Sequence, residues 1–367
     1  MTASDLFFLS FLCPRCTLWQ KSYRRPNLYQ MRMILAAKNM KSKYSLTTLV
    51  CIFCLSLLLS SGCSFISVSL VPPVAPLKET TVMGKGKEKI LIVEISGIIS
   101  EEEKRGIAGL SGEPDMVARI KEELKTAAKD KHIKAVILRI NSPGGAVTAS
   151  DMIYHEIEQF KKRTNNKVIA CIMDLGASGG YYVAVSADKI VAHPTTVTGS
   201  IGVIMLNLSV EGLLQKIGVK DTSIKTGEHK DMGSPLKTMT EEERKIFQGI
   251  LDNMYERFLS VIAENRKELP LEKLRSLADG RIYTARQALE CGLVDQIGYL
   301  DEAIALAKKE AGLQTARVII YHRPGAYKNN IYSQLSSSGL GTINLLNIDL
   351  KTFVRSGTPS FMYLWAP

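Results

Sequence analysis

"KVIACIMDLGASGGYYVAVSADKIVAHP", residues 167–194, holds two apolar strand patterns and, between them, a serine set among small residues. KVIACIMD (167–174) reads as a buried strand, GYYVAVSAD (180–188) as a helix, and KIVAHP (189–194) as a further strand. Ser178 stands where the first strand passes into the helix, flanked by Gly176, Ala177, Gly179 and Gly180. A strand-to-helix turn of this kind presents a hydroxyl with a free approach. The same small residues also suit tight packing. The stretch alone leaves a packing turn and a reactive serine equally open.

The flanking sequence extends the alternation. ILIVEISGII (90–99) is an apolar strand pattern, PDMVARIKEELKTAAKD (114–130) an amphipathic helix, and IKAVILRI (133–140) another strand. NSPGGAVTASDMIYHEIEQFKKR (141–163) turns at Pro143-Gly144-Gly145 and enters a helix, and helical patterns return over 240–268 and 301–311. Strands alternating with helices predict an α/β fold, a largely parallel sheet flanked by helices. VPPVAPLKETTVMGKGKEK (71–89) reads as a linker from its Pro, Gly and Lys content. The end of the chain is poorly patterned and reads as a loose tail or a contact between copies.

A serine nucleophile needs a base and a place for the negative charge it creates. NSPGG lies at a strand end, where Gly144 and Gly145 can aim N–H groups at a developing oxyanion, with the N–H of Gly179 as a second donor. A helix-capping turn is the plainer reading of the same residues. For the base, His193 lies at a strand end beside Pro194, and Lys225 and Lys230 both lie in KTGEHKDMGSP (225–235). A buried lysine loses its proton near neutrality because desolvation lowers an ammonium pKa by as much as ~3–5 units. Spacing alone does not separate Lys225 from Lys230.

The net charge of +11 has an uneven source. Residues 1–45 carry eight basic side chains against Asp5, so +7 lies there and only +4 in the rest of the 367 residues. The body presents no basic face for phosphate, which argues against a nucleic-acid partner. Five cysteines, Cys13, Cys16, Cys51, Cys54 and Cys63, crowd the N-terminal region, and Cys13-x-x-Cys16 has no second pair at zinc-site spacing. No metal and no cofactor is expected. Lys38, Lys41 and Lys43 precede the apolar run LTTLVCIFCLSLLL (46–59) and the small residues SSGCS, the pattern of a secretory signal. SSGC resembles a bacterial lipoprotein box with Cys63 as the lipidated residue, departing from it at Ser60. An uncleaved anchor running on through SFISVSLV is the alternative. Either reading tethers the body outside the cytoplasm. An ordinary signal would begin at Met31, Met33 or Met40, leaving the first thirty residues as an extension.

RINSPGG (139–145), GASGGYYVAVSADKIVAHPTTVTGSIGV (176–203), GEHKDMGSP (227–235) and DGRIYTARQALECGLVDQIG (279–298) occur in order and with compatible spacing. Together they resemble signal peptide peptidase A in its short, single-repeat bacterial form, over roughly residues 88–312. The resemblance implies the fold shared by Clp peptidases and crotonases and a Ser/Lys dyad. Ser178 then matches the nucleophile, Lys230 the general base, Ser200 in TGSIGV the hydroxyl that orients the lysine, and Gly144, Gly145 and Gly179 the oxyanion donors. It further implies a membrane-tethered serine endopeptidase on the extracytoplasmic side of the bacterial cell membrane, acting on remnant signal peptides. It also implies a homo-oligomeric ring, an octamer in this family, whose adjacent protomers supply Ser and Lys to one site. A crotonase-like acyl-CoA enzyme and an inactive scaffold of the same fold are the competing readings. The expected organisation is an N-terminal extension and positive region (1–45), a signal or anchor (46–70), a linker (71–88), a peptidase domain (89–312) and a tail (313–367). Side chains just before the cut are expected to be apolar or small.

Overall fold

Aliphatic and β-branched runs build the sheet, and charged helices cover it. The computed structural model describes residues 50–51, 53, 75–101, 104–105, 112–323, 330–332 and 360–365. Two compact units are distinguished, Met1–Ser69 and Leu70–Pro367. In the first, Val50, Cys51 and Phe53 are helical. The rest of the expected signal, Cys63 included, lies outside the described residues. Among the described residues no helix is long and apolar enough to cross a membrane.

In the second unit, strands β1 (Lys78–Met83) and β2 (Lys89–Ser96) precede a small ladder of β3 (Lys104–Arg105) with β4 (Gly112–Glu113). Helix α1 (Met116–Ala127) leads into β5 (Ile133–Ser142), β6 (Gly144–Ala146) and α2 (Val147–Thr164). Next come β7 (Lys167–Ala177), α3 (Gly179–Ala184), β8 (Lys189–Ala192), β9 (Val197–Gly199) and β10 (Ile204–Leu206). Helix α4 (Glu211–Lys216), a 3-10 turn at Glu228–Asp231 and the long α5 (Glu241–Asn265) follow. The chain continues through α6 (Leu271–Leu277), β11 (Ile282–Thr284), α7 (Ala285–Cys291), β12 (Gln296–Ile297) and α8 (Leu300–Glu310). It closes with β13 (Arg317–His322) and β14 (Ser360–Leu364).

The nine-stranded main sheet runs β1-β13-β2-β5-β7-β8-β12, with β9 pairing the end of β7 and β11 pairing β9; it is parallel except for the antiparallel pairs β1–β13 and β9–β11. This is the α/β architecture read from the sequence. Period-2 alternation divides each strand between two cores. Leu91, Val93, Val136, Leu138, Val168 and Ala170 face one core with Ile120 of α1, Ile153 and Phe160 of α2 and Tyr182 of α3. Ile90, Ile92, Ala135, Ile137, Ile169 and Cys171 face the other with Leu300, Ala303, Ile304 and Ala307 of α8. Cys171 is fully buried in this second core, and burial pushes its thiol up to about 12, so it is no competing nucleophile.

An ion pair lies within the sheet. Glu94 and Arg139 face each other across β2 and β5, 3.1 Å apart and both buried. Arg139 also donates to the carbonyl oxygen of Ile331, a residue buried in the second core. Residues beyond β13 are therefore tied back onto the sheet.

Two boundaries need correction. Residues 78–83, expected as linker, form β1, whose register pairs Thr80 with Ile320. Residues 317–322, assigned to the tail, form β13, which pairs in parallel with β2 near the middle of the sheet. RVIIYH is a short β-branched run that needs its long-range partner to be told from a tail, and KETTVM is recognisable only as that strand's neighbour. The domain therefore begins before residue 89 and ends after residue 312.

Candidate active site

The last three residues of β7 leave β8 and pair with β9, Ala177 opposite Gly199. One residue on, the Ser178 N–H donates to the Gly199 carbonyl at 2.7 Å. This bond holds Ser178 at φ 52°, ψ −116°, a left-handed conformation costly for a residue with a Cβ. The chain then turns at once into α3. The Ser178 hydroxyl does not cap that helix, and the residue is 1% exposed. A strained serine at a strand-to-helix turn, its hydroxyl uncommitted to the helix, is the arrangement of an activated nucleophile.

The glycines beside it are required by close backbone approach. A Cβ on Gly180 would lie 2.7 Å from the Ser142 carbonyl oxygen, and one on Gly144, at φ +98°, would lie 2.6 Å from the Gly179 nitrogen. The α3 start is thus pressed against the NSPGG turn, which brings Gly144 beside Gly179. Ser142 fixes that turn. Its hydroxyl donates to the Gly97 carbonyl at 2.6 Å and accepts the Gly144 N–H at 3.1 Å. The Gly144 N–H is therefore bonded to Ser142 in this chain. Sequence reasoning quoted Ser142 within NSPGG but gave it no role; a hydroxyl two residues before a glycine turn is the signal that was available.

A strand already lies across these donors. β14 pairs antiparallel with β6 on one side, Tyr363 opposite Gly145, and with β10 on the other, Met362 opposite Ile204. The Tyr363 carbonyl oxygen would lie 1.9 Å from a Cβ on Gly144 and 3.1 Å from one on Gly179. Its ring is fully buried, stacked on Tyr182 at 5.0 Å and tilted against Phe258 at 4.7 Å, and its hydroxyl donates to the Met254 carbonyl at 2.8 Å. Tyr182 is held by its own hydroxyl on Asp151, which Arg257 Nη2 also bonds at 2.9 Å. Burial and the neighbouring Asp151 push the Tyr182 phenol well above the usual range, so it stays a neutral donor.

Ser200 follows Gly199 directly, is 7% exposed and has φ 49°; its N–H donates to the Arg281 carbonyl at 2.7 Å. The fold brings Ser178 and Ser200 together through the single residue Gly199. Lys230 stands apart, exposed on the 3-10 turn, with no hydrogen bond or ion pair to its ammonium among the described residues. Lys225 differs: it bonds both Asp231 oxygens at 2.8 Å, and Lys237 bonds the same carboxylate at 2.7 Å. Those two lysines hold the Asp231 carboxyl down at about 2. His193 is taken up by Thr195 at 2.8 Å and by an edge-on contact with Tyr299, with no bond to Ser178. No cluster of metal-ligating side chains occurs among the described residues.

Residues 160–314 match the model of peptidase family S49. The chain is 40% identical over 244 residues to "Putative signal peptide peptidase SppA" of Enterococcus faecium, covering 66% of this chain and 70% of that protein. It is 33% identical to the chloroplastic serine protease SPPA of Arabidopsis thaliana, over 70% of this chain and 38% of that one. Among solved structures, a ClpP1 N165D mutant from Listeria monocytogenes is similar at 19% identity and a TM-score of 0.38, over 58% of this chain and 94% of that one. A buried, strained serine at a strand-to-helix turn, beside closely packed glycines, suits a serine hydrolase. The chain belongs to peptidase family S49, whose members are serine peptidases working through a Ser/Lys dyad.

Proposed function

We propose that the chain is a membrane-tethered endopeptidase that degrades signal peptides after their release, with Ser178 as nucleophile and Lys230 as general base. The observation that supports this reading most is the lie of β14: an extended backbone whose Tyr363 carbonyl rests beside Gly145 and Gly179, next to Ser178. A substrate peptide held the same way presents its scissile carbonyl to the Ser178 hydroxyl.

The chemistry runs in two halves. Neutral Lys230 takes the Ser178 proton as the oxygen bonds to the carbonyl carbon, and the N–H groups of Gly145 and Gly179 receive the oxyanion. The C–N bond then breaks, and charged Lys230 gives its proton to the departing amine. In the second half water attacks the ester, Lys230 accepts its proton, and Ser178 leaves with that proton restored. Ser200 orients the lysine amine.

In a single chain Lys230 is exposed and unpaired, on an arm where Leu208, Leu213, Ile217 and Ile224 are exposed at 60% or more. Side chains of that kind ask for cover. We assign the cover to a second copy of the chain, whose Ser178 this Lys230 serves, in a ring-shaped homo-oligomer. The same desolvation would let the amine act as a base. Lys225, already committed to Asp231, is the weaker candidate. The tether is the apolar run 46–70, lipidated at Cys63 or uncleaved, with the domain on the extracytoplasmic side.

The test is cleavage of a synthetic leader peptide by the full chain, read by mass spectrometry. Ser178→Ala should abolish it with the thermal melt retained. Cleavage surviving in that variant would remove the nucleophile assignment.

A further inference from the structure

KTGEHKDMGSPLK, residues 225–237, carries three lysines and two acids, Glu228 and Asp231. A base among those lysines must be uncharged to accept a proton. A carboxylate at ion-pair distance works against that, because it favours the ammonium. Lys230 stands next to Asp231 in the chain, so the acid that could hold it charged is its own neighbour.

That pair is not formed, because Asp231 is already occupied from two sides. Lys225 Nζ donates to both of its oxygens at 2.8 Å, and Lys237 Nζ donates to one of them at 2.7 Å. Lys237 also donates to Glu243 Oε1 at 2.5 Å. The other Glu243 oxygen accepts the Thr240 N–H at 3.0 Å, in the capping box that opens α5. Glu243 is itself buried. Lys225, Asp231, Lys237 and Glu243 therefore form a ladder of alternating charge anchored on the first turn of a core helix. Two cations meet two anions, and Lys230 is left over.

One lysine would suffice to pair an aspartate on a surface turn. Here two converge on it, and together they hold its carboxyl at about 2, Lys225 contributing most. Asp231 thus stays an anion, a standing partner for any ammonium within reach. The other charged groups around the turn are engaged elsewhere or stand apart. Asp221 accepts from Ser223, and His229 lies 3.7 Å from Glu242 of α5. Among the described residues no ion pair joins Glu228 to Lys230.

We propose that Lys225 and Lys237 are positioning residues that saturate the Asp231 carboxylate and so keep Lys230 without an acid partner, as a neutral base requires. This rests on the assignment of Lys230 as general base in the reading above. Both lysines act through Asp231.

The experiment measures kcat and KM of the full chain on one fluorogenic peptide at a single pH. It compares the unmodified protein, Lys225→Gln, Lys225→Arg, the double variant Lys225→Gln with Asp231→Asn, and Lys230→Ala, each checked by thermal melting. Lys225→Gln releases Asp231 toward Lys230 and should lower kcat about threefold or more with KM little changed. Lys225→Arg keeps the cation and should stay within about twofold of the unmodified protein. Adding Asp231→Asn to Lys225→Gln removes the released acid and should restore kcat. A purely structural network would lose more with each part removed, so the rescue separates the two roles. If Lys225→Gln melts early, Lys237→Gln, alone and with Asp231→Asn, gives the same comparison from the other side of the carboxylate. Unchanged kcat in Lys225→Gln, or a double variant no better than the single one, would overturn the proposal while Lys230 remains the base. Cleavage persisting in Lys230→Ala would overturn the reading on which it rests.

Discussion

The Ser178 N–H donates to the Gly199 carbonyl at 2.7 Å, and through this bond the end of β9 sets both the backbone of Ser178 and the place of Ser200 one residue on. The bond holds Ser178 at φ 52°. Such conformations cost about 1–3 kcal/mol for a residue with a Cβ, and glycine escapes most of that cost. Ser178→Gly should therefore be about 1 kcal/mol more stable than Ser178→Ala in denaturant unfolding, with both inactive. A glycine variant less stable than the alanine variant would mean that the site stores no strain.

Ser142 braces the oxyanion turn through Gly97 and Gly144. Ser142→Ala leaves the buried Gly144 N–H without its partner, a loss of about 1–3 kcal/mol. It should lower kcat about tenfold or more with little change in KM, because the donors meet the oxyanion only as it forms. A change confined to KM would show that the turn binds peptide and does not stabilise charge.

The pocket that holds Tyr363 should select what it holds. Tyr182 and Phe258 supply aromatic faces, and Met254 a carbonyl acceptor. Library profiling should find Tyr, then Phe, just before the cut, Tyr ahead by about fivefold for one neutral hydrogen bond. A dominant Ala, Lys or Asp preference would contradict the pocket assignment.

Arg139 lies between Glu94 and the Ile331 carbonyl, buried on all sides. Arg139→Ala removes the Arg139 guanidinium from the buried Glu94 carboxylate and should cost about 3–5 kcal/mol, read by chemical denaturation. Arg139→Met, in combination with Glu94→Leu, should recover most of that loss. Failure of the pair to recover would mean that the ion pair is not what the single substitution breaks.

The parts of this site that were readable in the sequence are those made by neighbours in the chain. GASGG between two strand patterns places Ser178 at a turn, and NSPGG places a glycine turn at the end of β5, because both depend on local backbone freedom and period-2 burial. The parts that were not readable depend on pairing over long distances. SFMYL at 360–364 has too few residues to show a pattern, and its role exists only through β6, more than two hundred residues earlier. KETTVM resembles a linker until β13 lies beside it. The commitment of the Gly144 N–H to Ser142 depends on a side-chain rotamer, which spacing does not encode.

The central claim is that Ser178 is made reactive by a neutral lysine, Lys230. The most direct measurement is labelling of the full-length protein by a fluorophosphonate, followed by peptide mapping, in the unmodified protein, Lys230→Arg and Lys225→Ala. Arginine keeps the charge of Lys230 but cannot give up its proton. The account predicts label on Ser178 alone in the unmodified protein and in Lys225→Ala, and almost none in Lys230→Arg. Label on another residue, or Lys230→Arg labelled as fast as the unmodified protein, would contradict it.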